Sequence, residues 1–148
     1  MRIALGADDS TRVVDALADY LQSAGHQVTR FGKAAGVAED WAETGRRVGQ
    51  AVASGEHELG VVCCYTGTGV SIAASKVPGI RAALCCDAET ARGARKWNDA
   101  NVLALSLRSC SEEVGKEILS AFLSEPYGKG EDQSLGVLAA LDAAGRGS

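Results

Sequence analysis

The run Cys64-Tyr65-Thr66-Gly67-Thr68-Gly69 concentrates the reactive chemistry of this 148-residue chain. A cysteine ends the apolar stretch LGVVCC at 59–64, and two glycines separate it from the small-residue segment SIAASK. Glycine at a strand-to-helix turn lets backbone N–H groups face a ligand, and the helix dipole favours negative charge there. Such a cradle lowers the energy of an enolate oxygen as it forms. A thiolate beside it can act as the base. The spacing matches neither GxxxxGK(S/T) nor GxGxxG, so nucleotide binding is not indicated. The plain alternative is a tight turn with nothing bound. Two other places carry polar groups beside apolar runs. Gly6-Ala7-Asp8-Asp9 follows the first run, while Trp97-Asn98-Asp99-Ala100-Asn101 precedes the last and Ser106 and Arg108 follow it.

These groups need a scaffold, and the hydrophobic pattern supplies one. Short apolar runs predict strands over 2–7, 26–31, 59–64, 80–86 and 101–105. Helical periodicity predicts helices over 11–24, 42–54, 87–97, 111–123 and 133–144, with a further one starting at SIAASK. Ser10 or Asp9 can cap the first helix and Asp87 the one after the fourth strand; Gly25 and Gly55 close theirs. LGVVCC lacks alternation, which suits a central parallel strand buried on both faces. Strands alternating with helices predict a single α/β domain over 1–148 with a five-stranded, mainly parallel sheet and right-handed crossovers. Ligands of such sheets sit at the carboxyl ends of the strands. The terminal GRGS is expected to fray.

Composition limits the function. The charge sum of 15 basic and 19 acidic residues argues against a nucleic-acid partner, which needs a basic face. No uninterrupted apolar stretch is long enough for a membrane helix. The start MRIALGADDS reads as a strand rather than a signal peptide. Five cysteines without CxxC spacing, and with neither His26 nor His57 near them, argue against a zinc site. The pairs Cys63-Cys64 and Cys85-Cys86, each ending an apolar run, read as buried strand-end thiols in a reducing cytoplasm, unless one is a nucleophile or base. Aromatic content of only 5% leaves a core of Ala, Val and Leu, which gains from burying more surface by oligomerisation.

The segments CCYTGTGVSIAASK, GIRAALC and KWNDANVLAL, with GADD near the start, resemble the ribose-5-phosphate isomerase B and galactose-6-phosphate isomerase family. The resemblance covers nearly the whole chain. It implies a Rossmann-like three-layer sandwich that forms a homodimer or homotetramer with shared active sites, its C-terminal helix (133–144) in the dimer contacts. It implies a small carbohydrate substrate, interconverted between aldose and ketose through a cis-enediolate without metal or cofactor. Residue by residue, it implies that Cys64 moves the proton between two carbons and that Thr66 and Asp8 handle hydroxyl protons. Gly67, Gly69, Val70 and Ser71 line the cradle; Asp40, Asn98 and Arg108 match substrate-binding positions, Arg108 one that reaches phosphate.

The departures have a direction. Asp9 stands where a phosphate-binding His is usual, Trp97 where a ring-opening His is, and Tyr65 where a Gly follows the base. Glu131 and Leu135 replace two arginines, and a D-Y-P-H-type loop has become Asp40-Trp41-Ala42-Glu43. Phosphate wants Arg, Lys or His, and a furanose needs its ring opened. The pattern therefore implies that isomerase chemistry is kept while the substrate is a short acyclic sugar or one that enters as a ketose. Trp41 and Trp97 are expected as pocket walls. A non-catalytic member, serving as a heteromer subunit or a small-molecule binding module, is the competing expectation.

Overall fold

The structure, a computed structural model, describes residues 1–146, with Arg146 described by its backbone alone. The chain runs β1 (Arg2–Ala7), α1 (Arg12–Ser23), β2 (Gln27–Gly32), a 3-10 turn (Lys33–Ala35), α2 (Trp41–Ala53), β3 (Leu59–Cys64), α3 (Thr68–Ser75), β4 (Ala82–Leu84), α4 (Ala88–Asn98), β5 (Val102–Ser106), α5 (Glu112–Ser124) and α6 (Asp132–Arg146). The five strands pair in the order β2-β1-β3-β5-β4, and every pairing is parallel rather than merely most of them. The connection from β1 leads to one edge and that from β3 toward the other. The switch point therefore lies between β1 and β3, and their carboxyl ends open the crevice where ligands of such sheets bind.

Alternation along the strands builds two apolar layers. Ile3, Leu5, Val61, Cys63, Leu103 and Leu105 pack with Leu17, Leu21, Ile118 and Phe122 of α1 and α5. Ala4, Val62, Cys64, Val102 and Ala104 pack with Val48 and Val70 of α2 and α3. The adjacent thiols Cys63 and Cys64 thus face opposite layers, and only Cys64 points to the side where α3 begins. That second layer is thin because glycine makes it so. A Cβ on Gly45 would lie 2.6 Å from the Cβ of Ala73, and one on Gly60 would lie 2.8 Å from Val48. The scarcity of aromatic residues reflects this close approach of α2 to α3 and to the sheet.

Several expected boundaries shift. The fourth strand, read over 80–86, is only Ala82–Leu84, because Arg81 is engaged by Asn101 and the chain turns at Asp87, the N-cap of α4. Helix α3 starts at Thr68, inside the glycine turn, three residues before SIAASK. Thr11, not Ser10 or Asp9, caps α1; the Asp9 carboxylate instead accepts the Ser10 N–H at 2.8 Å. The last helix is longer than 133–144, and of the GRGS tail Gly145 and Arg146 complete it, while Gly147 and Ser148 lie outside the described residues.

Close packing yields a paired prediction. Gly45→Ala, forced against Ala73 and the Val70 carbonyl, is expected to lose about 1–3 kcal/mol in urea unfolding. Gly136→Ala, in the interior of α6 with open space around it, is expected to gain roughly 0.5–1 kcal/mol.

Candidate active site

At the carboxyl ends of β1 and β3 the sequence places a carboxylate and a thiol side by side. Ala7 pairs with Cys63 and Cys64 with Ser106, and the Asp8 N–H donates to the Cys63 carbonyl at 3.3 Å. The turn after Cys64 is pinned by β5: the Leu107 N–H donates to the Cys64 carbonyl, and the Arg108 N–H and Ser106 hydroxyl both donate to the Tyr65 carbonyl, at 2.9–3.0 Å. Gly67 then takes φ +78°, a left-handed conformation, and caps α3. Side chains cap α1, α2, α4 and α5, namely Thr11, Asp40, Asp87 and Ser111. No side chain caps α3. By helix geometry its first N–H groups, those of Thr68, Gly69 and Val70, have no partner within the helix. Their dipole end is thus left open to an anionic oxygen.

One expected contributor is displaced. The Ser71 N–H already donates to the Gly67 carbonyl at 3.2 Å, so Ser71 can offer the cradle only its hydroxyl. Thr68, at the start of the helix, has its hydroxyl hydrogen-bonded to that of Thr66 at 2.8 Å. The threonines flank a single glycine, and that i, i+2 spacing is the signal the sequence offers for the pair. No such signal marks Glu39 and Thr44, which sequence reasoning missed. The buried Thr44 hydroxyl donates to Glu39 at 2.8 Å, and Glu39 receives Arg47 as well, which fixes the entry to α2.

The α2 entry brings further groups to the same end. Asp40 accepts the Glu43 N–H at 3.0 Å as N-cap. The next residue, Trp41, lays its indole against Gly69, where a Cβ would come within 2.8 Å of the ring. Trp41 is 46% exposed, so much of it is free to wall a ligand. Burial, and then the charges of Asp9 and Asp40, hold the Asp8 carboxyl above its ordinary value against a lowering backbone hydrogen bond. Tyr65, Thr66 and Arg108 are exposed here, and among the described residues no carboxylate lies within ion-pair distance of Arg108.

Within one chain, Trp97 and Asn98 are elsewhere. They end α4, whose 11 residues span roughly 16 Å from the carboxyl end of the sheet to its opposite end. Trp97 folds back over Gly93, and Asn98 lies between two grooves along β4. One groove, of about 400 Å³, is lined by Ile80, Arg81, Ala82 and by Leu138, Leu141 and Asp142 of α6. Neither groove includes Cys64.

All five cysteines are free thiols. Burial raises Cys63 and Cys110 and pushes Cys85 up to about 11. Cys86, expected to be buried at a strand end, is exposed because β4 stops at Leu84, and Cys64 keeps 5% of its surface. Among the described residues no group of three or more His, Cys, Asp or Glu is arranged to hold a metal ion, and no helix is long and apolar enough to cross a membrane.

A cysteine under an uncapped helix start, with a partly buried carboxylate on the neighbouring strand, stands in a chain that matches known proteins over most of its length. The family model described as Ribose/Galactose Isomerase matches residues 3–136. The chain belongs to this family of sugar-phosphate isomerases. It is 37% identical to D-erythrulose-4-phosphate isomerase of Pectobacterium atrosepticum over 86% of the chain and 85% of that protein. It is 35% identical to ribose-5-phosphate isomerase B of Escherichia coli over 89% of each. The solved ribose-5-phosphate isomerase B of Clostridium thermocellum superimposes with a TM-score of 0.92 at 36% identity, covering 97% of this chain and 99% of that one. The Rossmann-like sandwich implied by the sequence is therefore the fold of an isomerase family.

Two outcomes test the site. In a Cys86→Ser variant, iodoacetamide is expected to label Cys64 ahead of Cys63, Cys85 and Cys110, read by peptide mass; equally slow labelling of all four would remove Cys64 as the reactive thiol. Because Asp8 binds its proton more tightly folded than unfolded, its contribution to stability is full below about pH 4 and is lost as pH rises through the folded value. Asp8→Asn is therefore expected to melt higher than the parent at pH 7, with the gain vanishing near pH 3.

Proposed function

We propose that this protein interconverts the aldose and ketose forms of a short, open-chain sugar phosphate through a cis-enediolate, using the chain's own acid–base groups. The observation that carries the reading is the uncapped start of α3 directly after Cys64. Cys64, as thiolate, takes the proton from the carbon beside the carbonyl and returns it to the neighbouring carbon. The N–H groups of Thr68, Gly69 and Val70 stabilise the oxygen that gains charge. Thr66, through its bond to Thr68, and Asp8, at the end of the neighbouring strand, move the hydroxyl protons. The carbon skeleton gains and loses no electrons overall, so the step asks for no redox partner.

Charge and size favour a small substrate. Asp8, Asp9 and Asp40 gather at the β1 end and suit sugar hydroxyls, while Arg108, free of carboxylate partners among the described residues, suits a phosphate at the β5 end. Trp97, in the place of a ring-opening histidine, fits a substrate that has no ring to open. A relative named for erythrulose 4-phosphate supports a four-carbon substrate.

A homodimer belongs to the same proposal. Trp97 and Asn98 can meet Cys64 only from a second copy. Tyr65, Ile72, Leu84, Trp97 and, on α6, Val137 and Leu141 leave apolar surface uncovered in the single chain. A cytoplasmic setting accords with five unpaired cysteines.

With D-erythrulose 4-phosphate in D₂O, the protein is expected to place deuterium at the carbon beside the carbonyl while forming aldose. Cys64→Ala should lower that rate roughly 10²–10⁴-fold. Absence of exchange across C4–C6 sugars and their phosphates, unchanged by Cys64→Ala, would favour a binding module or a non-catalytic subunit.

A further inference from the structure

We propose that Arg81 is a positioning residue: it clamps the Trp97–Asn98–Asp99 turn into the shape in which a second copy of the chain receives it. The inference rests on the isomerase reading above and adds to it the group that makes the donated turn rigid. Asp99, directly after Asn98, has φ +46° and ψ +44°, a left-handed conformation that Asp adopts more readily than most residues with a Cβ and that contacts around it hold in place. That backbone angle ends α4 and sets where Asn98 and Trp97 present their side chains.

Those contacts come chiefly from Arg81. Its Nε donates to the Asp99 carbonyl at 2.8 Å, and its Nη2 lies 3.4 Å from the Asp99 carboxylate. Arg95 supports the same carboxylate at 3.8 Å and donates to the Ala100 carbonyl. Arg81 is itself fixed at both sides of its backbone. Its N–H donates to the Asn101 side chain at 2.8 Å, and its carbonyl accepts the Asn101 N–H at 3.0 Å. Asn101 in turn donates to the Gly79 carbonyl at 2.9 Å, and the Gly79 N–H donates to Asp142 of α6 at 2.9 Å. The clamp thus ties the turn to the start of β4 and to the C-terminal helix. A guanidinium reaches a carbonyl and a carboxylate together, which an ammonium or an amide cannot do in the same geometry. Arg81 is half-buried against the groove that holds Asn98, so it shapes the turn without extending beyond it.

The test uses full-length chains carrying Arg81→Gln, Arg81→Lys or Cys64→Ala, with D-erythrulose 4-phosphate as the probe. Arg81→Gln is expected to remain dimeric and to lose at least about ten-fold in kcat/KM, with Arg81→Lys intermediate. The deciding measurement is a mixed dimer. In a dimer of one Cys64→Ala chain and one Arg81→Gln chain, one of the two sites combines an intact Cys64 with an intact clamp from its neighbour. A random one-to-one mixture should regain about a quarter of wild-type activity, although each parent alone is nearly inactive. Arg81→Lys mixed with Cys64→Ala should show the same recovery and guards against a folding defect in the glutamine variant. A mixture no more active than the sum of its parents, or an Arg81→Gln dimer with wild-type kcat/KM, overturns the proposal alone. A wild-type protein inactive on every C4–C6 sugar and sugar phosphate, or a fully active Cys64→Ala, overturns the isomerase reading and takes the proposal with it.

Discussion

The site depends on how α3 begins, and that beginning is fixed by Gly67. Its left-handed backbone turns the chain from β3 into the helix, and a Cβ there would stand 2.9 Å from the Leu105 carbonyl carbon of β5. No side chain fits without moving sheet backbone. With the turn held in this way, the helix points its free N–H groups over the strand end that carries Cys64. Trp41 closes on Gly69 from one side, and the β5 turn holds the Cys64 and Tyr65 carbonyls from the other. The glycine contacts of α2 with α3 and the sheet then keep that helix from retreating.

Charge divides the mouth of the site. Three carboxylates stand near the end of β1, and burial with mutual repulsion raises Asp8. Arg108 stands two strands away, beyond β3. Strands about 4.8 Å apart put these ends roughly 10 Å from each other. One side of the crevice is therefore acidic and the other basic. The replacement of a basic ligand at position 9, a loss when read alone, strengthens the acidic side of the crevice.

Much of this is legible in the order of the amino acids. Period and punctuation predict every strand and helix, and the LGVVCC run marks the buried central strand. The glycine turn after Cys64 marks the site, and three motif segments point to the family. What the sequence does not carry is tertiary. Alternation puts Cys63 and Cys64 on opposite faces, but only the fold says which face carries α3. The first free N–H groups depend on where the helix starts, three residues before the obvious small-residue segment, so the Ser71 N–H is not the donor its place in the motif suggests. Trp97 and Asn98 sit in a motif that reads as one site with Cys64, yet α4 carries them to the far end of the sheet. The Arg81–Asp99 clamp joins residues 18 apart through a left-handed turn that no local pattern announces.

Where a planar enediolate mimic binds is the most direct test of a site built on the α3 start. A crystal structure with the hydroxamate of a four-carbon phosphorylated acid is predicted to show its oxygen on the Thr68–Val70 N–H groups. The mimic should also lie within hydrogen-bond distance of the Cys64 Sγ, with Asn98 supplied by the neighbouring copy. The mimic found instead in the β4 groove beside Ile80 and Leu141, away from Cys64, would contradict it.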